Sequence, residues 1–158
     1  MNGASVRLVL GEELPAYCLR FDVEISEQKA VGYLRRDCPI LSVAVFYLTK
    51  AQWVQFSSFF QSNPSGVLSA GDLDGELYSA GKAWTGAQVS GHAVALLAVE
   101  SFGVLVLANS WGPEFANKGF FRIQSAAVLN LTFYPVYWTL EDLTEEEIRS
   151  YSLLGRPC

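Results

Sequence analysis

Val89-Ser90-Gly91-His92-Ala93-Val94-Ala95-Leu96-Leu97-Ala98-Val99-Glu100, then Ser101-Phe102-Gly103, then Val104-Leu105-Val106-Leu107-Ala108-Asn109-Ser110: this stretch decides the architecture. Two largely apolar runs rich in Val, Leu and Ala flank a short turn. That pattern predicts an antiparallel hairpin with strands over 89–100 and 103–110. A histidine opens the first run and an asparagine closes the second. With the turn centred near residue 101, positions 92 and 109 stand roughly opposite each other. An amide oxygen there can accept from one imidazole nitrogen and fix the ring's tautomer and orientation, which is the task of the third group in a nucleophile–base–orienter triad. Taken singly, both residues have plainer readings. His92 is the only histidine of the chain, and a lone strand histidine is more often structural; Asn109 could simply end a strand before Trp111-Gly112. Their pairing across the turn is what favours chemistry.

Outward from the hairpin, residues 61–90 are rich in Ser, Gly, Asn and Asp and read as one long loop, a length that usually marks function or mobility. Before it, Ile40 to Tyr47 is a nearly continuous apolar, β-branched run, the mark of a buried strand. Lys50 to about Phe60 then reads as a helix with Trp53, Phe56 and Phe60 near one face. Further upstream, residues 16–24 read as a strand and Ser26 as the N-cap of a helix to about Arg36, with Glu27 in its first turn. Cys38-Pro39 stops that helix, because proline lacks the donor and restricts its predecessor. Downstream, strands are expected over 119–124 and 133–140. A final acidic helix, about 141–154, opens on Thr144-Glu145-Glu146-Glu147, with Thr144 and Glu147 as a capping box and acids suited to the helix dipole. The fold class is α+β, a β-rich antiparallel sheet or half-barrel with a few flanking helices. The whole of 1–158 is expected to be a single domain, with no internal repeat.

Composition narrows the function. Hydrophobic residues make up 51% of the 158 and charged ones 17%, which describes a chain able to bury a core. A net charge of -5 argues against nucleic acid, since neutralising phosphates requires clustered Lys and Arg, and Arg35-Arg36 is the nearest approach to a cluster. No segment reaches the ~18 to 20 apolar residues of a membrane span. Residues 1–13 carry Arg7 within a short apolar run and acids after it, unlike a signal peptide. One histidine cannot build a zinc site, and Ser65-Gly66 and Ala70-Gly71 lack a phosphate-loop pattern, so neither metal nor cofactor is expected. Cys18, Cys38 and Cys158 fit neither a zinc spacing nor a disulfide framework and read as ordinary thiols. Asn130-Leu131-Thr132 is a glycosylation sequon, relevant only in a secreted chain.

Four blocks carry a family resemblance. Gly91-His92-Ala93-Val94, Asn109-Ser110-Trp111-Gly112 and Lys118-Gly119-Phe120-Phe121-Arg122-Ile123 occur in that order. Cys38-Pro39-Ile40-Leu41-Ser42-Val43-Ala44-Val45 precedes them. Together they resemble the C-terminal, His- and Asn-bearing half of the papain-like cysteine peptidases, over roughly residues 17–124, with a cathepsin-B-like flavour in Gly91-His92 and in Val106 to Trp111. The resemblance implies His92 as general base and acid, Asn109 as its orienter, and Trp111 as a shield over their hydrogen bond. It also implies that Ala93 and Gly91 border the substrate pocket. The substrate would be a peptide or protein, and the compartment lysosomal or extracellular.

The same resemblance exposes what is missing. The family's nucleophile lies in a Cys-Gly-Ser/Ala-Cys-Trp/Tyr block about 130 to 150 residues before the His and Asn. Only 91 residues precede His92, and that block does not occur among them. Cys18, Cys38 and Cys158 do not open helices, where a dipole would help hold a thiolate. Gln28, Gln52 and Gln55 do not occupy the context of the family's oxyanion-hole glutamine. Phe115-Ala116-Asn117 stands where a Trp-Gly pair is common, so a rebuilt loop is expected there. Two functions follow: half of a cysteine-type peptidase whose N-terminal nucleophile half is supplied elsewhere, or an inactive papain-like module that binds proteins.

Overall fold

The computed structural model describes residues 23–36, 40–78, 88–136, 144–146 and 149. Its elements are helix α1 (Glu27–Leu34), strand β1 (Ser42–Thr49), helix α2 (Lys50–Ser62) and strands β2 (Val67–Leu68), β3 (Val89–Val99), β4 (Leu105–Ala108), β5 (Phe120–Ile123) and β6 (Thr132–Pro135). The six strands form one sheet in the order β2-β5-β4-β3-β1-β6. Every pairing is antiparallel except β2 with β5. The fold is therefore α+β, built on an open sheet.

Local chemistry accounts for the helix boundaries. Ser26 caps α1 as its sequence position suggests, its hydroxyl accepting from Lys29 N at 3.1 Å. The helix ends at Leu34, two residues before the expected Arg36. Strand β1 starts at Ser42 rather than residue 40 and runs to Thr49. Thr49 then serves twice, as the last strand residue and as the N-cap of α2. Its hydroxyl accepts from Gln52 N at 3.2 Å, and Gln52 Oε1 accepts from Thr49 N at 2.9 Å, a capping box. The strand expected over 16–24 is represented among the described residues by 23 and 24, which are not in a strand; Ile25 makes a single bridge to Phe133. Cys38-Pro39 and all three cysteines lie outside the described residues. So does most of the C-terminal helix, which is helical at 145, 146 and 149. The strand expected over 133–140 is β6, and residues 137–140 lie outside the described set.

The described part of 61–90, residues 61–78 and 88–90, is less irregular than its composition suggests. β2 forms inside this stretch and pairs with β5, and residues 74 and 76 are tied to α2. The ties come from buried Gln52, whose Nε2 donates to Asp74 O at 2.9 Å and Glu76 O at 3.3 Å, and from Gln55, which exchanges two bonds with Asp74. A glutamine side chain that meets three backbone groups has satisfied the cost of its own burial.

The core lies between α2 and one face of the sheet. Phe56 and Phe60 of α2 meet Phe121 of β5, and Phe56 meets Phe46 of β1, all with ring centroids between 5.3 and 5.9 Å apart. Leu48, Leu96, Leu105, Leu107 and Ile123 on the same face are wholly buried. Each large apolar side chain buried in this way stabilises the fold by about 1.5–3 kcal/mol.

Candidate active site

The hairpin places the two motif residues together, although not by the pairing expected. Ala95 pairs with Ala108 and Leu96 with Leu107, and an irregularity between Leu96 and Ala98 shifts the register beyond that point. Continuing the pairing sets residue 109 beside Val94 rather than beside His92. His92 and Asn109 are therefore diagonal neighbours, a separation that long side chains span. His92 Nε2 lies 2.7 Å from Asn109 Oδ1. The turn closes with Val99 opposite Leu105, later than the apolar runs suggest, and the bulge at Leu96-Leu97-Ala98 brings residue 109 one position closer to His92.

The amide's orientation follows from a second bond. Ser110 N donates to Asn109 Oδ1 at 2.9 Å, so the atom facing the imidazole is the acceptor oxygen. Nε2 must then donate, and the proton of a neutral His92 resides there. Nδ1 is left with its lone pair and with no hydrogen-bond partner among the described residues. This is the arrangement of a base whose accepting nitrogen is chosen by its neighbour.

Alternation along β3 separates two environments. His92, Val94 and Leu96 face α2, and Phe46, the strand partner of His92, lies edge-on to the imidazole at 5.8 Å. Trp111 covers the ring from the other side, with centroids 5.2 Å apart and planes 33° from parallel. Trp53, from the first turn of α2, meets it at 5.7 Å and 85°. Three aromatic rings thus hem in the half-buried imidazole. With water kept off, the His92–Asn109 bond gains strength.

Gly91, Ala93 and Ala95 point to the opposite face. With Leu41, Val43, Ala108 and Val136 they line an open cavity of about 480 Å³, whose polar edge is His92, Asn109 and Ser110. Glycine at 91 leaves room for the Tyr47 ring: a Cβ there would lie 2.7 Å from Tyr47 Cε1, so the ring would have to shift. The loop after Asn109 carries Phe115, whose ring packs on Trp111 at 5.0 Å and 83°. It closes through Asn109 N donating to Gly119 O at 2.9 Å and Gly119 N donating to Phe115 O at 2.7 Å.

All five residues singled out in the sequence (Gly91, His92, Ala93, Asn109 and Trp111) thus border one place. Sequence reasoning assigned Trp53 to the core and gave Phe46 no role at the site. Only the β1–β3 register reveals Phe46 beneath His92. Among the described residues no cluster of His, Cys, Asp or Glu could hold a metal ion, and no helix is long and apolar enough to cross a membrane.

No known family profile and no curated protein sequence matches the chain. Among solved structures it is similar to a mite allergen from work on the limited antibody cross-reactivity between Blo t 1 and Der p 1, at 20% identity and a TM-score of 0.37. That allergen is a papain-like cysteine peptidase. The match covers 75% of this chain and 33% of the allergen chain, so this chain spans about a third of the length of the structure it matches.

Proposed function

We propose that this chain carries the base-and-orienter half of a papain-like, cathepsin-like cysteine peptidase site. The observation that carries the reading is the 2.7 Å contact between His92 Nε2 and Asn109 Oδ1, with the amide oxygen fixed by Ser110 N. In this reading a thiol from a nucleophile-bearing half outside this sequence is placed at His92 Nδ1. The thiol proton passes to Nδ1, and the resulting imidazolium stabilises the thiolate beside it. The thiolate attacks the peptide carbonyl carbon. Collapse of the tetrahedral intermediate breaks the C–N bond as the leaving amine takes the proton from Nδ1. Water, deprotonated by the same nitrogen, then hydrolyses the thioester and the thiol is regenerated. Asn109 holds the ring through both proton transfers and Trp111 keeps water from their bond. The apolar cavity over Ala93 and Ala95 takes an apolar side chain of the peptide.

A second reading is favoured by one specific fact: none of Cys18, Cys38 and Cys158 stands in a Cys-Gly-Ser/Ala-Cys-Trp/Tyr nucleophile block. In that reading the chain is an inactive papain-like module that binds proteins through the groove and its exposed apolar border, Leu41 and Trp111.

Labelling of the purified chain and of its native source with an epoxysuccinyl thiol-directed probe, followed by mass spectrometry, separates the two. The peptidase reading predicts a labelled larger or two-chain species that contains peptides of this sequence. Absence of label in both samples would overturn it in favour of the binding module.

A further inference from the structure

We infer that Trp53 is a positioning residue for His92, a third wall of the site supplied by helix α2. The inference deepens the peptidase reading, but its physical content, control of the imidazole's geometry, can be tested without any peptidase activity. Three observations meet at this side chain. The first is location. Trp53 stands one residue after Gln52, whose side chain completes the N-terminal capping box of α2 and ties residues 74 and 76 to the helix. The start of the helix is therefore fixed at both its own backbone and its neighbouring loop, and Trp53 projects from a rigid turn.

The second is contact. The indole touches both of the other rings that enclose the imidazole, Phe46 at 5.5 Å and Trp111 at 5.6 Å, as well as His92 itself at 5.7 Å. It is nearly perpendicular to the imidazole, at 85°, whereas Trp111 lies within 33° of parallel. One indole limits tilting of the ring and the other limits its swing within the plane. Asn109 holds a single nitrogen, and a ring fixed at one atom still pivots about that bond. The two indoles remove the pivot.

The third is cost. Trp53 Nε1 is buried with no hydrogen-bond partner among the described residues. A buried unpaired donor is destabilising, and a residue chosen for packing alone would be Phe or Leu, which fill the same kind of space with no donor to satisfy. Local rules are broken in this way mainly where function requires it. Phe60 provides the comparison. It belongs to the same aromatic cluster, touching Phe56, Phe115 and Phe121, and it is more deeply buried than Trp53, yet no ring contact joins it to His92.

His92 is the only histidine in the chain, so its ring nitrogens give unambiguous signals in ¹⁵N-edited NMR of the full-length protein. Trp53→Leu, Trp53→Phe and Phe60→Leu are compared with the parent chain for Nε2–H exchange with solvent and for the share of each neutral tautomer. The inference predicts several-fold faster exchange and a mixed tautomer in Trp53→Leu, an intermediate result in Trp53→Phe, and parent-like signals in Phe60→Leu. Parent-like signals in both Trp53 variants would overturn it. So would equal changes in Trp53→Leu and Phe60→Leu, which would mean a general loosening of the core. Should Trp53→Leu fail to fold, Trp53→Phe against Phe60→Leu decides alone. None of these readings depends on the epoxysuccinyl labelling, so failure of the peptidase reading would be seen separately.

Discussion

The two faces of strand β3 differ as sharply as two regions of a small domain can. One face carries His92, Val94 and Leu96 into an aromatic layer of Phe46, Trp53, Phe56 and Trp111. The other carries Gly91, Ala93 and Ala95 onto the floor of an open groove. A period of two along one strand thus sets His92 among rings and the groove floor on small side chains, with only the strand's thickness between them. An imidazole held by packing and an open groove have opposite requirements, and alternation meets both.

Substitutions on the two faces should therefore differ most in stability. Phe46 is fully buried against His92, Trp53 and Phe56. Phe46→Ala is expected to cost ~3–5 kcal/mol in denaturant unfolding. Ala93→Ser, on the groove floor, should stay within about 0.5 kcal/mol of the parent. Equal costs at the two positions would erase the contrast.

Gly91 is where the groove face becomes intolerant, since a Cβ would strike the Tyr47 ring. Gly91→Ala should destabilise by about 1–3 kcal/mol, the usual range for overpacking, and Tyr47→Ala in the same chain should recover part of that loss. Additive losses would contradict the contact. The clamp on residues 74 and 76 is next in size. Gln52→Ala removes one side of the capping box and leaves two carbonyls without their donor, for about 1–3 kcal/mol. Hydrogen exchange should show the loss concentrated at the start of α2 and in residues 72–76.

The smallest effect is expected at the far end of the sheet. Arg122 reaches Glu100 with Nε at 2.7 Å and Nη2 at 3.3 Å, both side chains being part exposed. Glu100→Gln should cost no more than about 1 kcal/mol, and salt should diminish the difference.

Much of this was legible in the sequence, for reasons that differ by element. The hairpin and the His92–Asn109 pair could be read because apolar runs, a turn and two motif residues act over short distances. The Ser26 cap could be read because a capping bond spans three residues. Three features could not. The turn closes with Val99 opposite Leu105, later than the apolar runs suggest, so the pairing of 92 with 109 came out diagonal instead of direct, and the bulge between Leu96 and Ala98 that takes back one position leaves no mark in an apolar run. β2 has two residues and exists only through its pairing with β5, 55 positions further on (Val67 with Arg122). Trp53 and Phe46 join the site through tertiary contacts, and residue spacing along α2 pointed only to a core-facing stripe.

The account stands most directly on where the proton of neutral His92 resides and what holds it. ¹⁵N-edited NMR of the single histidine, in the parent chain and in Asn109→Ala, measures both. The account predicts an Nε2–H that exchanges slowly in the parent and quickly in Asn109→Ala, with Nδ1 unprotonated in the neutral parent ring. A proton on Nδ1 of the neutral parent ring, or exchange at Nε2 that is equally slow without the Asn109 amide, would contradict it.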